Sequence, residues 1–426
     1  MRLIWQGIYC YVAQPLMRLG LSLAARKNKK LAQTLAGQQG WSERLQRQLQ
    51  QRSADRKLIW FHVASAGEYL QACPVMERLM LRGHECVLTI TSVSGYQWAT
   101  KRKLHPSLVA IEYLPLDTRQ NVRTLLEMIR PDALVYVKFD LWPNLIWESR
   151  KRGIPQFLIS ATLHEKSKRV TSGLARSLYR SLYQSLDGIF AVSDQDTERF
   201  LATCPNHPNT HTVGDTRFDS VLDRRASIKP PALPEYLKQS PVLILGSCWP
   251  QDEAVVMDGI CQALRTFPEM YLIVAPHEID SAHLEDLNLQ LAEFGVQRLS
   301  QFQSLPDQRV VLVDSVGQLS ALYCYADIAF VGGAFGKGVH NVMEPSAMGV
   351  PAIMGPFYQN SPEAMQLVEK GKAFSIQDGQ QFTQLLFDLL SRPAYRQKAG
   401  EDAARFIEAQ AGASDACYKL IEEVIE

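Results

Sequence analysis

The 426-residue sequence has eight cysteines, at positions 10, 73, 86, 204, 248, 261, 324 and 417, and no Cys-x-x-Cys pair among them. Neither a zinc site nor a disulfide framework is indicated, and reduced thiols are expected. A long apolar run is also missing, because Gln6, Gln14, Pro15 and Arg18 interrupt residues 3–25, whereas a clean membrane span needs about 20 mostly apolar residues. Acidic residues are absent from the first 42 positions, which carry Arg2, Arg18, Arg26, Lys27, Lys29 and Lys30. Since the whole chain has a net charge of only +1, the remainder carries −5. That balance excludes a global polycation, so no nucleic-acid partner is expected. A hydrophobic content of 46% excludes bulk disorder and a polytopic membrane protein.

What is present at the N-terminus is an apolar segment followed closely by the basic patch 26–30. Three readings fit it: an interfacial or short membrane anchor, a cleaved signal peptide, or a core helix. Positive charge after the apolar run, with Arg18 inside it, favours the anchor over the signal peptide. Residues 1–45 are therefore expected to associate with a membrane, and the expected partner of residues 1–30 is an anionic membrane surface.

Beyond this segment, short β-branched apolar runs alternate with longer helical patterns. Strands are predicted at Leu58–His62, Cys86–Thr91, Leu134–Val137, Gln156–Ile159, Gly188–Val192 and Thr210–Val213, then at Val242–Leu245, Tyr271–Ala275, Val310–Val313, Asp327–Val331 and Pro351–Met354. Continuous apolar strands separated by helices imply parallel sheets covered on both faces. Pro230, Pro231, Pro234 and Pro241 mark residues 224–241 as a linker. The expected fold is α/β: two doubly wound, Rossmann-like domains, 46–223 and 242–426, facing each other across a cleft. Ligands would bind at the carboxyl ends of the strands, and the last helix could return to the first domain.

Several motifs fall at those strand ends. Ser65-Ala66-Gly67-Glu68 follows the first strand, with small residues that admit a ligand to the backbone at Ser65 and Gly67. Glu68 there is either a general base for an incoming hydroxyl or a charge that complements a helix N-terminus. Asp140, in Val137-Lys138-Phe139-Asp140-Leu141-Trp142-Pro143-Asn144, either opens into the same cleft or caps a helix. Arg217 could meet an anionic substrate or pair with Asp215 or Asp219. In the second half, Gly246 and Ser247 form a turn that suits a phosphate, or an ordinary turn. Pro276 and His277 close the next strand, where a histidine is more often structural than a ligand contact.

The glycine-rich stretch Gly332–Pro345 is the most informative. Its glycines allow a backbone tight enough to wrap an anion, yet Gly336-Lys337-Gly338 is not a Walker loop and the spacing fails the dinucleotide fingerprint. If residues 337–344 are helical, Lys337, His340, Asn341 and Glu344 share one face while Val339, Val342 and Met343 face the core. Lys337 would then meet phosphate and Glu344 ribose hydroxyls, against the plainer reading of a solvated face.

Together, Gly37 and Gly40, Ser65–Glu68, Leu114-Pro115-Leu116-Asp117, Leu141–Asn144, Gly214–Asp219 and Gly332–Pro345 resemble, in order and spacing, the transferases of 3-deoxy-D-manno-oct-2-ulosonic acid (Kdo). The resemblance implies a GT-B glycosyltransferase that moves Kdo from CMP-Kdo, with inversion, to the lipid A precursor lipid IVA during lipopolysaccharide synthesis. It would act at the cytoplasmic face of the inner membrane, on a peripheral or single N-terminal anchor. By that resemblance Glu68 matches the general base and Asp140 a second carboxylate. Gly246, Ser247, Pro276, His277, Gly336, Lys337, Gly338, His340, Asn341 and Glu344 fall in the donor region of the C-terminal domain. The leaving group is a nucleoside monophosphate, so transfer without a metal or other cofactor is expected.

One departure is specific to this chain. Where many family members have Glu-Thr-Glu before Leu-Trp-Pro, it has Lys138-Phe139-Asp140, so the second carboxylate is a methylene shorter and the first is a cation. The alternatives are another GT-B enzyme, such as a UDP-sugar transferase or epimerase, and a non-catalytic membrane-associated protein that binds nucleotide or lipid.

Overall fold

Runs such as Leu58-Ile59-Trp60-Phe61 are apolar at every position, as suits a strand buried on both faces. The computed structural model describes residues 2–101, 105–231, 233–234, 237, 239–302 and 308–426. It has two compact units, Met1–Ser220 with Ala411–Glu426, and Val221–Gln410. The first contains β1 (Leu58–Val63), β2 (Glu85–Ile90), β3 (Leu108–Tyr113), β4 (Ala133–Val137), β5 (Gln156–Ala161), β6 (Gly188–Ala191) and β7 (Thr210–Thr212). They form one sheet in the order β3-β2-β1-β4-β5-β6-β7, every pair parallel. The second contains β8 (Val242–Cys248), β9 (Tyr271–Pro276), β10 (Val296–Arg298), β11 (Val310–Leu312), β12 (Ile328–Val331), β13 (Ala352–Met354) and β14 (Phe374–Ser375). Their order is β10-β11-β9-β8-β12-β13-β14, again parallel throughout.

Alternate residues of each strand feed the cores on opposite faces of its sheet. Trp60, Leu134, Tyr136 and Leu158 pack on one face of the first sheet, and Phe61, Leu88, Val135 and Ile159 on the other. The latter core also takes Cys417 and Ile421 from the last helix, Ala413–Ile425. Asp219 anchors that helix, its carboxylate accepting from the N–H groups of Gly412 at 2.8 Å and Ser414 at 3.0 Å.

The N-terminal segment is helical over Arg2–Ile8, widens into a π-helical turn at Tyr9–Ala13, and continues as Gln14–Ala25. Its first part packs on the first unit: Trp5 is buried and donates to Ser177 Oγ at 3.1 Å, and Tyr9 meets the Trp147 ring edge-on at 6.0 Å. Leu16, Leu19 and Leu23 are exposed. No helix among the described residues is long and apolar enough to cross a membrane.

Three strands escaped sequence reading. β3 carries Glu112 in its interior, where the Arg44 guanidinium meets the buried carboxylate at 2.7 and 2.9 Å, so its period is broken by a charge. β10 and β14 have three and two residues, too few for a legible pattern. The predicted linker also starts late. Helix Thr216–Ser227 runs through Arg224 and Arg225, since the first helix-breaking proline is Pro230; residues 232, 235, 236 and 238 of that linker lie outside the described ones.

Candidate active site at the points where strand order reverses

In each sheet the chain builds outward from its first strand in one direction and then returns to that strand's other side. The reversal lies between β1 and β4 in the first sheet and between β8 and β12 in the second. Ligand sites of open α/β sheets form outside the carboxyl ends of such strands. Ser65–Glu68 and Asp140 follow β1 and β4, and Gly246–Trp249 and Gly332–Gly338 lie at the ends of β8 and β12.

Ser65 caps helix Ala66–Leu81, its Oγ accepting from the Glu68 N–H at 3.4 Å. Glu68 then folds back, and its Oε2 accepts from the Ala64 N–H at 2.6 Å. Burial pushes the Glu68 carboxyl above its ordinary range, and the Asp140 charge adds to this, against the Ala64 N–H, His62 and Lys138. A side chain at Gly67 would meet only Ser65 Oγ, at 3.8 Å, so the fold itself does not demand glycine there.

Burial also acts to raise Asp140, but hydrogen bonds from His62, Trp142 and Thr91 outweigh it and hold the carboxyl below the usual range. The two carboxylates thus occupy environments that push their pKa values apart, Glu68 upward and Asp140 downward. His62, buried in β1, lies 3.0 Å from Asp140 Oδ2 through Nε2 and 2.9 Å from Thr89 Oγ1 through Nδ1. Asp117 sets the turn that follows Asp140: its carboxylate accepts from the N–H groups of Asn144 at 2.9 Å and Leu145 at 3.0 Å. Burial pushes the Asp117 carboxyl up to about 6, even with the Tyr9 hydroxyl hydrogen-bonded to it. A cavity of about 210 Å³ opens beside Asp140, lined by Tyr9, Trp142, Pro143, Tyr179 and Leu182 among others. Arg217 lies with Asp215, Nε to Oδ2 at 2.8 Å, as one of its two sequence readings had it.

In the second unit, Ser247 within β8 takes φ +55°. A Cβ on Gly332 would lie 2.5 Å from Ser247 O and one on Gly246 would collide with the Tyr323 hydroxyl, so both glycines allow close packing. Buried Asp252, in the first turn of helix Pro250–Thr266, accepts from the N–H groups of Trp249 at 2.9 Å, Gly333 at 2.7 Å and Phe335 at 3.1 Å. After Pro276 closes β9, His277 stacks on both Trp249, at 4.4 Å, and His340, at 4.3 Å. The Trp249 indole N–H donates to His340 Nε2 at 3.1 Å; burial, then the His277 charge, hold His340 below its ordinary range, so its ring nitrogen accepts.

The expectation of a helix over 337–344 is corrected. Gly333 and Gly338 take φ +94° and +133°, a helix forms only over Met343–Ala347, and residues 337–342 are a loop. Val339, Val342 and Met343 are buried, but the polar stripe does not form. Lys337 is exposed, His340 joins the ring stack, Asn341 Oδ1 accepts from the Met343 N–H at 3.0 Å, and Glu344 meets Arg224 at 2.5 Å. Several of the loop amides are taken up within the fold. Gly336 and Gly338 donate to Gly333 O, Val339 to Phe357 O and His340 to Gly332 O, each at 3.0 Å, while Gly333 and Phe335 serve Asp252.

His62 and Asp252 were missed in the sequence, and Asp117 was singled out only within the Leu114–Asp117 motif, without a role. A lone histidine in an otherwise apolar strand was the available signal for the first; the other two look like ordinary helix-cap acids until the fold brings their partners in.

Residues 39–220 match the family described as 3-deoxy-D-manno-octulosonic-acid transferase (kdotransferase). The chain is 29% identical over 381 residues to the 3-deoxy-D-manno-octulosonic acid transferase of Bordetella pertussis, covering 86% of this chain and 87% of that one. With the Aquifex aeolicus transferase it shares 26% over 340 residues, 78% and 86% of the two chains. The fold is similar to that of UDP-GlcNAc 2-epimerase from Neisseria meningitidis, solved with UDP-GlcNAc, at TM-score 0.60 and 15% identity over 86% of this chain and 98% of that one. A glycosyltransferase from Rickettsia africae gives TM-score 0.57 at 12% identity, over 87% and 98%. At such identities these structures speak for the fold alone. The family match spans the whole first sheet, and the similarity to the named transferases extends across most of the chain.

Proposed function

We propose that the chain transfers Kdo from CMP-Kdo to a hydroxyl of the lipid A precursor lipid IVA, with inversion at the anomeric carbon, at the cytoplasmic face of the inner membrane. The observation that carries this reading is Glu68: a buried carboxylate beside open space at Gly67, tied to the Ala64 N–H at 2.6 Å and raised by burial. A carboxylate raised in this way is a stronger base than a solvent-exposed glutamate. Glu68 takes the acceptor hydroxyl proton as the oxygen bonds to the anomeric carbon and CMP departs. Asp140 stays ionised and favours the positive charge that develops on the sugar. The donor nucleotide is assigned to the second unit, with Lys337 at the phosphate and the Trp249–His277–His340 rings beside it.

Departure of a nucleoside monophosphate needs no divalent ion to bridge a diphosphate, so transfer is metal-independent in this reading. Mass spectrometry of the product from purified protein, CMP-Kdo and lipid IVA tests reaction and stoichiometry, and the anomeric configuration by NMR tests inversion. No transfer from CMP-Kdo alongside transfer from a UDP-sugar would overturn the donor assignment. Loss of activity in EDTA with recovery on adding a divalent cation would overturn metal independence.

A further inference from the structure

Lys138 and Phe139 immediately precede Asp140, which lines the cavity described above. Lys138 directly follows β4 and holds φ +65°, a left-handed conformation that costs a non-glycine residue roughly 1–2 kcal/mol. Its N–H donates to Ile159 O at 2.9 Å, which fixes that geometry. Strain of this kind persists where the surroundings enforce it, and it concentrates at ligand sites. Next to it Phe139 is 42% exposed, with two cations over one ring: Lys138 Nζ at 5.7 Å and the Arg169 guanidinium at 4.8 Å.

Arg169 is also 4.8 Å from the ring of Tyr179, which lines the cavity. Aromatic contacts occupy the faces of a guanidinium and leave its in-plane N–H groups for hydrogen bonding. One contact goes to the Tyr183 hydroxyl; five donors are present in all. Lys138 helps ionise Glu68 at longer range, but among the described residues neither cation forms an ion pair with a carboxylate.

We propose that Lys138 and Arg169 hold a phosphate monoester of the acceptor at Phe139, while the adjoining cavity of about 210 Å³ takes the sugar ring that bears it. This rests on the acceptor reading above. A phosphate monoester carries about −1.5 to −2 at pH 7, which matches two cations, whereas a carboxylate is satisfied by one. The ionised Asp140 in the same cavity repels an anion, and the second cation offsets that repulsion. Aromatic walls at Trp142 and Tyr179 suit the face of a sugar ring.

The test compares lipid IVA with its phosphatase-treated form, using full-length protein in detergent micelles and measuring both equilibrium binding and transfer. Arg169→Gln and Lys138→Gln each raise KM for lipid IVA about 10- to 100-fold, the scale of one lost hydrogen bond to a charged group. Arg169→Gln leaves kcat within about twofold, and neither variant changes KM for the dephosphorylated acceptor. Lys138→Gly, which relieves the strained backbone, behaves as Lys138→Gln if the fold is retained, and Arg169→Lys recovers part of the loss. Equal effects on both acceptors, or none on either, overturn the subsite. Phosphate-dependent binding that the variants abolish, without transfer by the unmodified protein, keeps the subsite and overturns the transfer reading.

Discussion

His62 Nε2 lies 3.0 Å from Asp140 Oδ2, with the imidazole fully buried and the carboxylate part-exposed. The Trp142 indole N–H is 3.1 Å from the same nitrogen and also reaches Asp140. With the imidazole proton on Nε2, the hydrogen bonds run in one direction. The Trp60 indole donates to Thr89 Oγ1 at 2.8 Å, the Thr89 hydroxyl to His62 Nδ1 at 2.9 Å, and both His62 Nε2–H and the Trp142 N–H to Asp140. A chain of buried donors thus starts in the core and ends on the carboxylate.

His62→Gln should therefore lower kcat about 10- to 100-fold, the scale of one hydrogen bond to a charged group, with KM for CMP-Kdo unchanged. Thr89→Val, which removes the donor to His62 Nδ1, should act in the same direction and less strongly. Steady-state kinetics with each variant check this; a fall in thermal stability with kcat intact would show His62 to be a core residue only.

With Glu68 as the proposed base, the acid side of the pH profile should follow its carboxyl. Its carboxyl is raised by burial first, so the folded enzyme holds a proton there at a pH where a free glutamate is ionised. A base must be deprotonated, so kcat/KM should fall with decreasing pH through a pKa above the ordinary glutamate value of about 4.3. Glu68→Gln should remove that limb and lower kcat about 10²- to 10⁴-fold. Asp140, shifted the other way, should add no limb near neutral pH.

Most of the eleven legible strands are largely apolar runs, while β7, Thr210–Thr212, was read from its β-branched threonines; Ser65–Glu68 and Asp140 were legible because each stands just after an apolar run. Distance along the chain hid the rest. Asp117 reaches Asn144, His62 reaches Asp140 and Asp252 reaches Gly333 only once parallel strands bring their loops together. The glycine stretch misled for a related reason. Its hydrophobic spacing fits a helix, but positive φ at Gly333 and Gly338 and the Asn360 side chain packed against Gly338 dictate a closed loop.

Asp252 carries the consequence in the second unit. Its carboxylate satisfies three backbone N–H groups, two of them in the glycine loop. Asp252→Ala leaves these buried donors without a partner, at about 1–3 kcal/mol each where water cannot replace it. It should lower the unfolding midpoint and raise KM for CMP-Kdo, while binding of lipid IVA to the first unit is unchanged. Denaturant titration and donor KM, measured on the same protein, check both outcomes.

The N-terminal helix separates two roles by face. Trp5 and Tyr9 engage the first unit, and the Tyr9 hydroxyl hydrogen-bonds Asp117, which in turn holds the turn after Asp140. Leu16, Leu19 and Leu23 point outward, 63%, 60% and 51% exposed, ahead of the basic patch at 26–30. Burying one such side chain in a membrane interface is worth about 1.5–3 kcal/mol, and cations beside an anionic surface add about 1 kcal/mol each. Replacing Leu16 and Leu19 together by glutamate should weaken co-sedimentation with anionic vesicles at least 100-fold, a sum of about 3 kcal/mol or more, and leave kcat on detergent-solubilised acceptor unchanged. Raising the salt should weaken vesicle binding of the unmodified protein through screening of the basic patch. Tyr9→Phe should do the reverse: vesicle binding is retained while kcat falls, because Asp117 loses a donor beside the catalytic turn. Equal loss of kcat in both proteins would mean that the outward leucines, too, support the site.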